Sequence, residues 1–273
     1  MEPVRRLRYS PAMTQTIGDH LRDWRQRRRL SQLDLALDAE ISTKHLSFVE
    51  TGRSQPSREM VLRLAERLEV PLRERNVLLV SAGYAPVFPQ RPLADPALDA
   101  ARKAVDLVLK GHEPYPALAV DRHWTLLAHN AAVPPLLAGA DPSLLEAPVN
   151  VLRLSLHPKG LSPRIENLAE WRAHLLARLH QQIDATADAV LIKLMDELAA
   201  YPVPDAARHR ASVNPDYAGV VVPLRLKTEA GTLSLFSTTT IFGTPVDITL
   251  SELAIESFFP ADPASADMLR AAA

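Results

Sequence analysis

Residues 31–52 read SQLDLALDAEISTKHLSFVETG. This stretch predicts two short helices joined by a tight turn, with Ser31 and Ser42 as the residues that cap their N-termini. In the second helix, Leu46 and Val49 form an apolar back, while small polar or basic side chains form the front. A helix of this kind, braced by its neighbour, has the shape and chemistry needed to enter the major groove of DNA.

Seven side chains in this stretch and just beyond it are candidates for DNA contacts. Lys44 can donate to guanine or to a phosphate, and Thr43 and Ser47 can each donate or accept a hydrogen bond. Gln32 lies in the first turn of the preceding helix, whose N-terminus favours a phosphate. The candidate DNA-binding residues are Gln32, Thr43, Lys44, His45, Ser47, Thr51 and Arg53. The alternative is an ordinary helical hairpin whose polar faces contact only water.

Length and composition limit the class of protein. A chain of 273 residues favours two domains, and its lack of cysteine excludes disulfides and thiolate metal sites. No apolar run approaches the ~18 residues of a membrane span, and no signal-peptide core follows the first arginines, so we expect a cytoplasmic protein. Residues 1–83 carry fifteen Lys and Arg against eleven Asp and Glu, whereas the remainder carries sixteen against twenty-one. A basic N-terminal part and an acidic remainder suit a protein that binds DNA at one end.

Apolar spacing predicts five helices between residues 14 and 83, which together form an all-α domain. Ser57 is expected to cap the fourth helix, Pro71 to begin the fifth and Gly83 to follow its end. Residues 1–13 are expected to form a flexible basic arm. Its arginines could follow the DNA backbone or the minor groove, although a solvated arm is favoured; they are Arg5, Arg6 and Arg8.

The pattern changes after residue 83. Residues 84–96 contain four prolines, which predicts either a stiff linker or a strap against the surface. Residues 97–273 predict an α+β domain with strands at both ends and helices between them. Helices are expected over 97–109, 165–183, 190–198 and 251–259, and strands over 117–121, 125–128, 219–228 and 231–242.

The N-terminal domain resembles the XRE (lambda-repressor-like) helix-turn-helix family. The resemblance rests on Leu21-Arg22, Arg25, Leu30-Ser31-Gln32, Leu35-Ala36, Ile41-Ser42, Leu46-Ser47, Val49-Glu50, Gly52-Arg53, Pro56-Ser57, Leu64-Ala65 and Leu68. It implies that Gln32 and the front of the second helix face DNA, and that Arg22 or Arg25 holds Glu50 in a structural role. Glu40 stands where glycine is common, and a left-handed backbone there would cost about 1 kcal/mol.

The remainder of the chain resembles the ligand-binding domain of MmyB-like regulators. The resemblance rests on residues 113–118, 121–124, 129–131, 150–153, 156–158, Trp171, 222–225 and 258–262. It implies a PAS-like sensor fold and a regulator controlled by a small ligand, fatty-acid-like or otherwise apolar.

A ligand pocket needs apolar walls and a few convergent polar groups. Aromatic side chains could form the walls, and three polar side chains could hold a polar head. The candidate ligand-binding residues are Trp124, His129, Asn130, Trp171, Arg172 and Phe236, with Phe242 as a further wall. The alternative is that the aromatic rings are core and the polar groups cap helices or contact water. Asn130, which lies between a predicted strand and a predicted helix, is a good candidate for an N-cap.

The leading interpretation is a regulator that binds double-stranded DNA as a homodimer, because one recognition helix covers only a few base pairs. We expect no metal and no cofactor, since no histidine pair has the i, i+4 spacing of a helical metal site. One alternative is an adaptor tethered to DNA whose second domain binds a protein. A remote alternative is a repressor that cleaves itself at Ala82-Gly83, with Ser155 and Lys193 as the catalytic pair.

Overall fold

The computed structural model describes residues 15–202, 221–243, 245 and 247–272. The chain divides between Pro89 and Gln90 into two compact units. Within the described residues, no helix combines the length and the apolar character that crossing a membrane would require.

The first unit is built from five helices, as the sequence predicts. They are α1 (Ile17–Arg27), α2 (Gln32–Asp38), α3 (Thr43–Glu50), α4 (Arg58–Arg67) and α5 (Leu72–Ser81). The hydroxyls of Ser31, Ser42 and Ser57 each accept a hydrogen bond from the backbone in the first turn, so these predicted N-caps are confirmed. Each helix buries its apolar stripe in one shared core, in which Leu21, Leu35, Leu46 and Leu64 are fully buried.

All five helices of this unit end in the same way, with a left-handed residue after the last turn. These residues are Arg29, Glu40, Gly52, Glu69 and Gly83, with φ angles of 55°, 55°, 71°, 49° and 84°. The next amide donates to the carbonyl five residues back, for example from Ile41 to Ala36 and from Tyr84 to Leu79. The left-handed conformation considered for Glu40 is therefore confirmed, and Gly83 ends α5 as expected.

The second unit contains one antiparallel sheet of five described strands. The strands are β1 (Ala117–Val120), β2 (Leu126–His129), β3 (Leu224–Thr228), β4 (Gly231–Ile241) and β5 (Ala254–Pro260), in the order β2-β1-β5-β4-β3. The helices are α6 (Asp99–Gly111), α7 (Val151–Leu156), α8 (Leu168–Thr186), α9 (Ala189–Ala200), α10 (Ile248–Ser251) and α11 (Pro263–Ala271). The expected α+β class is confirmed.

Strand alternation divides the core of this unit into clusters on different sides of the sheet. Ala117 and Ala119 of β1 pack with Val105 and Leu109 of α6. Val120, one position out of phase with this pair, belongs instead to the larger cluster that contains the apolar faces of α8 and α9. Helices therefore cover both faces of the sheet.

The prediction of a helix over residues 251–259 is wrong. A single turn, Ile248–Ser251, is followed by β5, which lies between β1 and β4 in the sheet. Ile255 and Phe258 fit a helical spacing in the sequence, but their partners in the structure are neighbouring strands. The predicted strand over 219–228 begins at Leu224 in the structure, and residues 219 and 220 lie outside the described residues.

Asn130 is not an N-cap, which corrects a second expectation. Its side chain is buried and accepts a hydrogen bond from the amide of Ala117 at 3.1 Å. Its amide nitrogen donates to the carbonyls of Leu109 and Tyr115 at 3.1 and 2.7 Å. The residue therefore ties the end of α6 to β1 and uses both of its N–H groups within the fold.

The proline-containing segment 84–96 is fastened at both ends. Asn76 donates to the carbonyl of Phe88 and accepts from the amides of Val87 and Phe88 within the first unit. In the second unit, the backbone amide and the guanidinium of Arg91 both donate to the buried carboxylate of Asp247. Each end of the segment is therefore anchored within its own unit.

The left-handed backbone of Glu40 leads to a test of stability. Replacing Glu40 with glycine should raise the free energy of unfolding by about 1 kcal/mol, because glycine adopts positive φ without steric strain. Urea unfolding followed by circular dichroism measures the change. The matched control is Glu66→Gly in the exposed last turn of α4, which should lower the free energy of unfolding because glycine has a low helix propensity. A loss of stability in both variants would contradict the proposed strain.

Candidate nucleic-acid interface

Helix α3 has a buried back and a polar front. Leu46 and Val49 have no exposed surface, whereas Lys44 is exposed and His45 and Ser47 are half-buried. Such a helix has base-reading chemistry on one side and core packing on the other. The structure therefore gives α3 the polar front and the apolar back that the sequence predicts.

The first helix approaches the end of α3 at very short range. A Cβ atom built on Gly18 of α1 would lie 2.6 Å from the carbonyl oxygen of Val49 and 2.7 Å from that of Glu50. No side chain fits at this distance, so α1 can brace α3 only because residue 18 is glycine. Sequence reasoning did not single out Gly18, because a lone glycine within a helix gives no local sign of what lies beside it.

Glu50, the last residue of α3, is a buried carboxylate held by three side chains. Arg25 donates to both of its oxygens, with distances of 2.7 Å from Nε and 2.8 Å from Nη2. Gln32 of α2 donates to the same carboxylate at 2.8 Å. Arg22 lies 3.7 Å from it and donates to the Glu50 carbonyl at 2.7 Å. The carboxylate therefore connects α1, α2 and α3.

The protonation of Glu50 follows from these partners. Burial by itself would raise the pKa of Glu50, but the hydrogen bonds from Arg25 and Gln32 and the nearby charges of Arg25 and Arg22 outweigh burial and hold it below 4.5. The pKa of Arg25 is raised, chiefly by its hydrogen bond to Glu50. Both groups are charged near neutral pH. Each arginine offered by the resemblance as a partner contacts Glu50, and the bidentate contact belongs to Arg25.

The cationic part of the front includes an aromatic ring that sequence reasoning missed. The ammonium of Lys44 lies 5.7 Å from the centre of the Phe48 ring, and the guanidinium of Arg53 lies 5.9 Å from it. Phe48 is half-buried and one helical turn beyond Lys44, so its spacing could have placed it on the front. Thr51 is exposed, and its hydroxyl donates to the carbonyl of Ser47 at 2.7 Å.

Two other candidate DNA contacts have defined surroundings. Thr43, the first residue of α3, is half-buried. Gln32 is also half-buried, and the amide that could have reached a phosphate donates to Glu50. The structure thus gives Gln32 a bracing contact inside the domain.

Two of the candidate ligand-binding residues belong to one core cluster of the second unit. Trp124 and Trp171 both pack in the cluster that joins α8 and α9 to the sheet. The indole N–H of Trp124 donates to Gln182 at 2.8 Å, and that of Trp171 donates to the hydroxyl of Ser155 at 3.0 Å. Arg178 lies over the Trp124 ring at 5.0 Å.

Trp124 has a left-handed backbone, with a φ angle of 66°. A bulky residue with positive φ is a conformational outlier, and such outliers occur at binding sites more often than elsewhere. The turn around it is held by Asp121, whose carboxylate accepts from the amides of His123 and Thr125 at 2.8 Å each. The backbone strain is therefore maintained by specific contacts.

The remaining candidate ligand residues have other surroundings. Arg172 donates to the carbonyls of Leu198 and Ala199 at the end of α9, and its buried Nε has no hydrogen-bond partner among the described residues. His129 is exposed, and its Nδ1 lies 3.0 Å from the carbonyl oxygen of Asn130. Phe236 stacks on Phe259 at 5.5 Å, and Phe242 packs in the cluster beneath α6.

The residues considered for self-cleavage also have defined surroundings. The Ser155 hydroxyl accepts the hydrogen bond from Trp171, and Lys193 is exposed on α9. Among the described residues, no group of three or more acidic or histidine side chains could hold a metal ion.

Five helices with a braced, polar-fronted third helix define a helix-turn-helix domain. Comparison with protein-family models agrees: a helix-turn-helix domain matches residues 16–78. The MmyB-like transcription regulator ligand binding domain matches residues 101–272, which is more than half of the chain. The chain belongs to this family of regulators, and it combines a DNA-binding domain with a ligand-binding domain. No curated protein matches the chain.

The buried Glu50 leads to a pH-dependent prediction. Glu50→Gln should lower the free energy of unfolding at pH 7 by about 3 kcal/mol, because Arg25 loses its buried counter-charge. Since folding lowers the pKa of Glu50, its stabilisation is complete above the ordinary value of 4.5 and is lost as the pH falls through the lower folded-state pKa. Urea unfolding between pH 3 and 7 should show the two proteins converging at the acidic end. A constant difference in the free energy of unfolding over this pH range would contradict the assignment of the stabilisation to the ionised Glu50 carboxylate.

Proposed function

We propose that the protein is an XRE-type repressor or activator that recognises its operator with α3. The observation that carries the proposal is the orientation of α3, whose polar front is turned outward by a fully buried back. Lys44 and Thr43 are assigned to base edges, and Arg53 and Thr51 to phosphates beyond the end of the helix. The Phe48 ring adds an apolar surface that fits a thymine methyl group.

The remaining candidates have supporting roles in this proposal. His45 and Ser47 flank Lys44 on α3 and contribute hydrogen bonds to bases or through water. Gln32 contributes chiefly by bracing Glu50, which holds α2 and α3 in the relative position that binding requires. Two features support the lambda-repressor-like subclass for the first unit. The Glu50 contact and the short turn between α2 and α3 both agree with the sequence resemblance.

We also propose that the protein acts as a homodimer in the cytoplasm. One α3 helix is about 12 Å long and covers only a few base pairs, so a useful specificity ratio requires two half-sites. In B-DNA, two such sites on one face of the duplex are about 34 Å apart or a multiple of that distance. Selection of bound duplexes from a random pool would report both the half-site and its spacing.

The ligand-binding domain is proposed to be PAS-like and to bind a small apolar molecule beside Trp124 and Trp171. The single antiparallel sheet with helices on its faces supports the PAS-like fold. The strained backbone of Trp124 and the polar groups that meet its ring and its N–H support a site there. A ligand that favours one conformation of the domain shifts DNA affinity only by its differential binding free energy.

Lys44 provides the direct test of DNA recognition. Lys44→Ala should weaken binding to the selected duplex by roughly ten-fold, which is about 1.4 kcal/mol and lies within the range of one good base contact. Fluorescence anisotropy titration at fixed salt measures the affinity. Lys227→Ala, which removes an exposed lysine from β3, is the matched control and should leave the affinity unchanged. Equal affinities for all three proteins would remove Lys44 from the interface.

Trp124 provides the test of ligand sensing. Trp124→Ala should reduce the response of DNA binding to an added fatty acid such as oleic acid, whereas operator affinity without ligand should stay near normal. Anisotropy titrations with and without the fatty acid measure both quantities, and Trp124→Phe, which keeps an aromatic wall, should retain part of the response. Thermal unfolding separates sensing from packing. A variant that loses stability but responds normally would place Trp124 in the core alone.

A further inference from the structure

Helix α6 has one face in the core and a second face on which apolar side chains are exposed. Val105 and Leu109 are buried against the sheet. On the other side, Leu107 is 72% exposed, the largest value among the large apolar side chains that the structure describes, and its neighbour Val108 is 42% exposed. An apolar residue this exposed on a surface helix is a candidate for contact with a partner.

A cleft lies beside this exposed face, between α6 and β2. Its volume is about 430 Å³. Apolar side chains from three segments contribute to its lining: Leu93, Val105, Leu127 and Ala128. The charged side chains that line it all come from α6 and are Asp99, Arg102, Lys103 and Asp106. The cleft therefore combines apolar surface with charges of both signs.

The exposed charges of α6 alternate in sign along one stripe. Asp99, Lys103, Asp106 and Lys110 are all exposed and recur at helical spacings of four, three and four residues. The order is acid, base, acid, base, so its reversal is base, acid, base, acid. A second α6 laid antiparallel would therefore match every acid with a base, whereas a parallel copy would match like charges.

We infer that α6 is a homodimer interface in which two copies of the chain pair antiparallel about a two-fold axis near Ala104 and Val105. The axis matches Lys103 with Asp106 of the second copy, and Asp99 with Lys110 of the second copy, each twice. It also places Leu107 of both copies on the same flank of the contact, where the two exposed isobutyl groups face each other across the axis. A two-fold contact of this kind is self-complementary, as an isologous interface must be.

This inference rests on the proposed homodimer and assigns it a surface. A second copy fits α6 better than an unrelated partner, because the charge order is complementary to its own reversal. Exposed ion pairs contribute little energy individually, so the four pairs chiefly set orientation, and the two Leu107 side chains provide the apolar contact. The helix is about 20 Å long, which makes the interface small and the free dimer weak.

Charge exchange tests the pairing. In the full chain, Lys103→Asp alone and Asp106→Lys alone should each raise the dimer dissociation constant at least ten-fold in sedimentation equilibrium, because each creates two like-charge pairs. An equimolar mixture of the two variants should recover association, since each supplies the charge that the other needs. The double variant K103D/D106K should also associate as the original chain does. If association recovers neither in the mixture nor in the double variant, the antiparallel pairing is wrong.

Apolar substitution provides the second arm. Leu107→Glu should abolish association, whereas Val190→Glu, which changes a residue 50% exposed on α9, should leave it unchanged. Circular dichroism should show both variants folded, because both side chains face solvent. An unchanged dissociation constant for Leu107→Glu overturns the interface.

Measurements on DNA separate this inference from the proposed function. If the charge variants leave association unchanged but the original chain binds a two-half-site duplex as a dimer, the α6 interface is wrong and the proposed function stands. If the original chain sediments as a monomer at every concentration and shows no preference among duplexes, both are wrong. If Leu107→Glu binds a single half-site normally but loses the cooperative binding of two, both are supported.

Discussion

The buried carboxylate of Glu50 is the interaction on which the DNA-binding unit depends. A carboxylate with no exposed side-chain surface is strongly unfavourable unless it is paired, and here Arg25 occupies both oxygens while Gln32 adds a third hydrogen bond. Because these partners come from α1 and from α2, the charge can be satisfied only when α3 lies in one position. Gly18 adds a steric condition to the same contact. The orientation of the polar front of α3 therefore follows from burying one charge behind it.

A second constraint on the same unit is that the chain must reverse sharply at the ends of its helices. Five helices within about 65 residues require sharp reversals, and each is made by one residue of positive φ. Glycine serves this purpose without strain at two of the five positions, whereas Arg29, Glu40 and Glu69 do so with strain. The residue after three of these turns packs back onto the core through an apolar side chain, as Leu30, Ile41 and Val70 do. Core packing thus compensates for local backbone strain.

The ligand-binding unit is organised around the turn between β1 and β2. Gln182 of α8 accepts from the Trp124 indole and donates to the carbonyl of Arg122, so one amide holds the turn from both sides. His123 contacts Asp188 at 2.8 Å, at the junction between α8 and α9. A displacement of Trp124 would therefore be transmitted to both helices. This connection gives a ligand that contacts the turn a physical route to the packing of the domain.

The sequence by itself determined the helices of the first unit, their caps and the two faces of α3, because these depend on local periodicity and on side chains a few residues apart. It also indicated a helix-turn-helix domain and an MmyB-like ligand-binding domain, and the resemblance implied that Arg22 or Arg25 would hold Glu50. Tertiary structure alone decided the features that depend on distant partners. The segment after Ser251 is a strand because β1 and β4 lie on either side of it, and Asn130 is a buried tie because α6 and β1 present their backbone groups to it. Gly18 is required by a carbonyl more than 30 residues away in sequence, which no local pattern records.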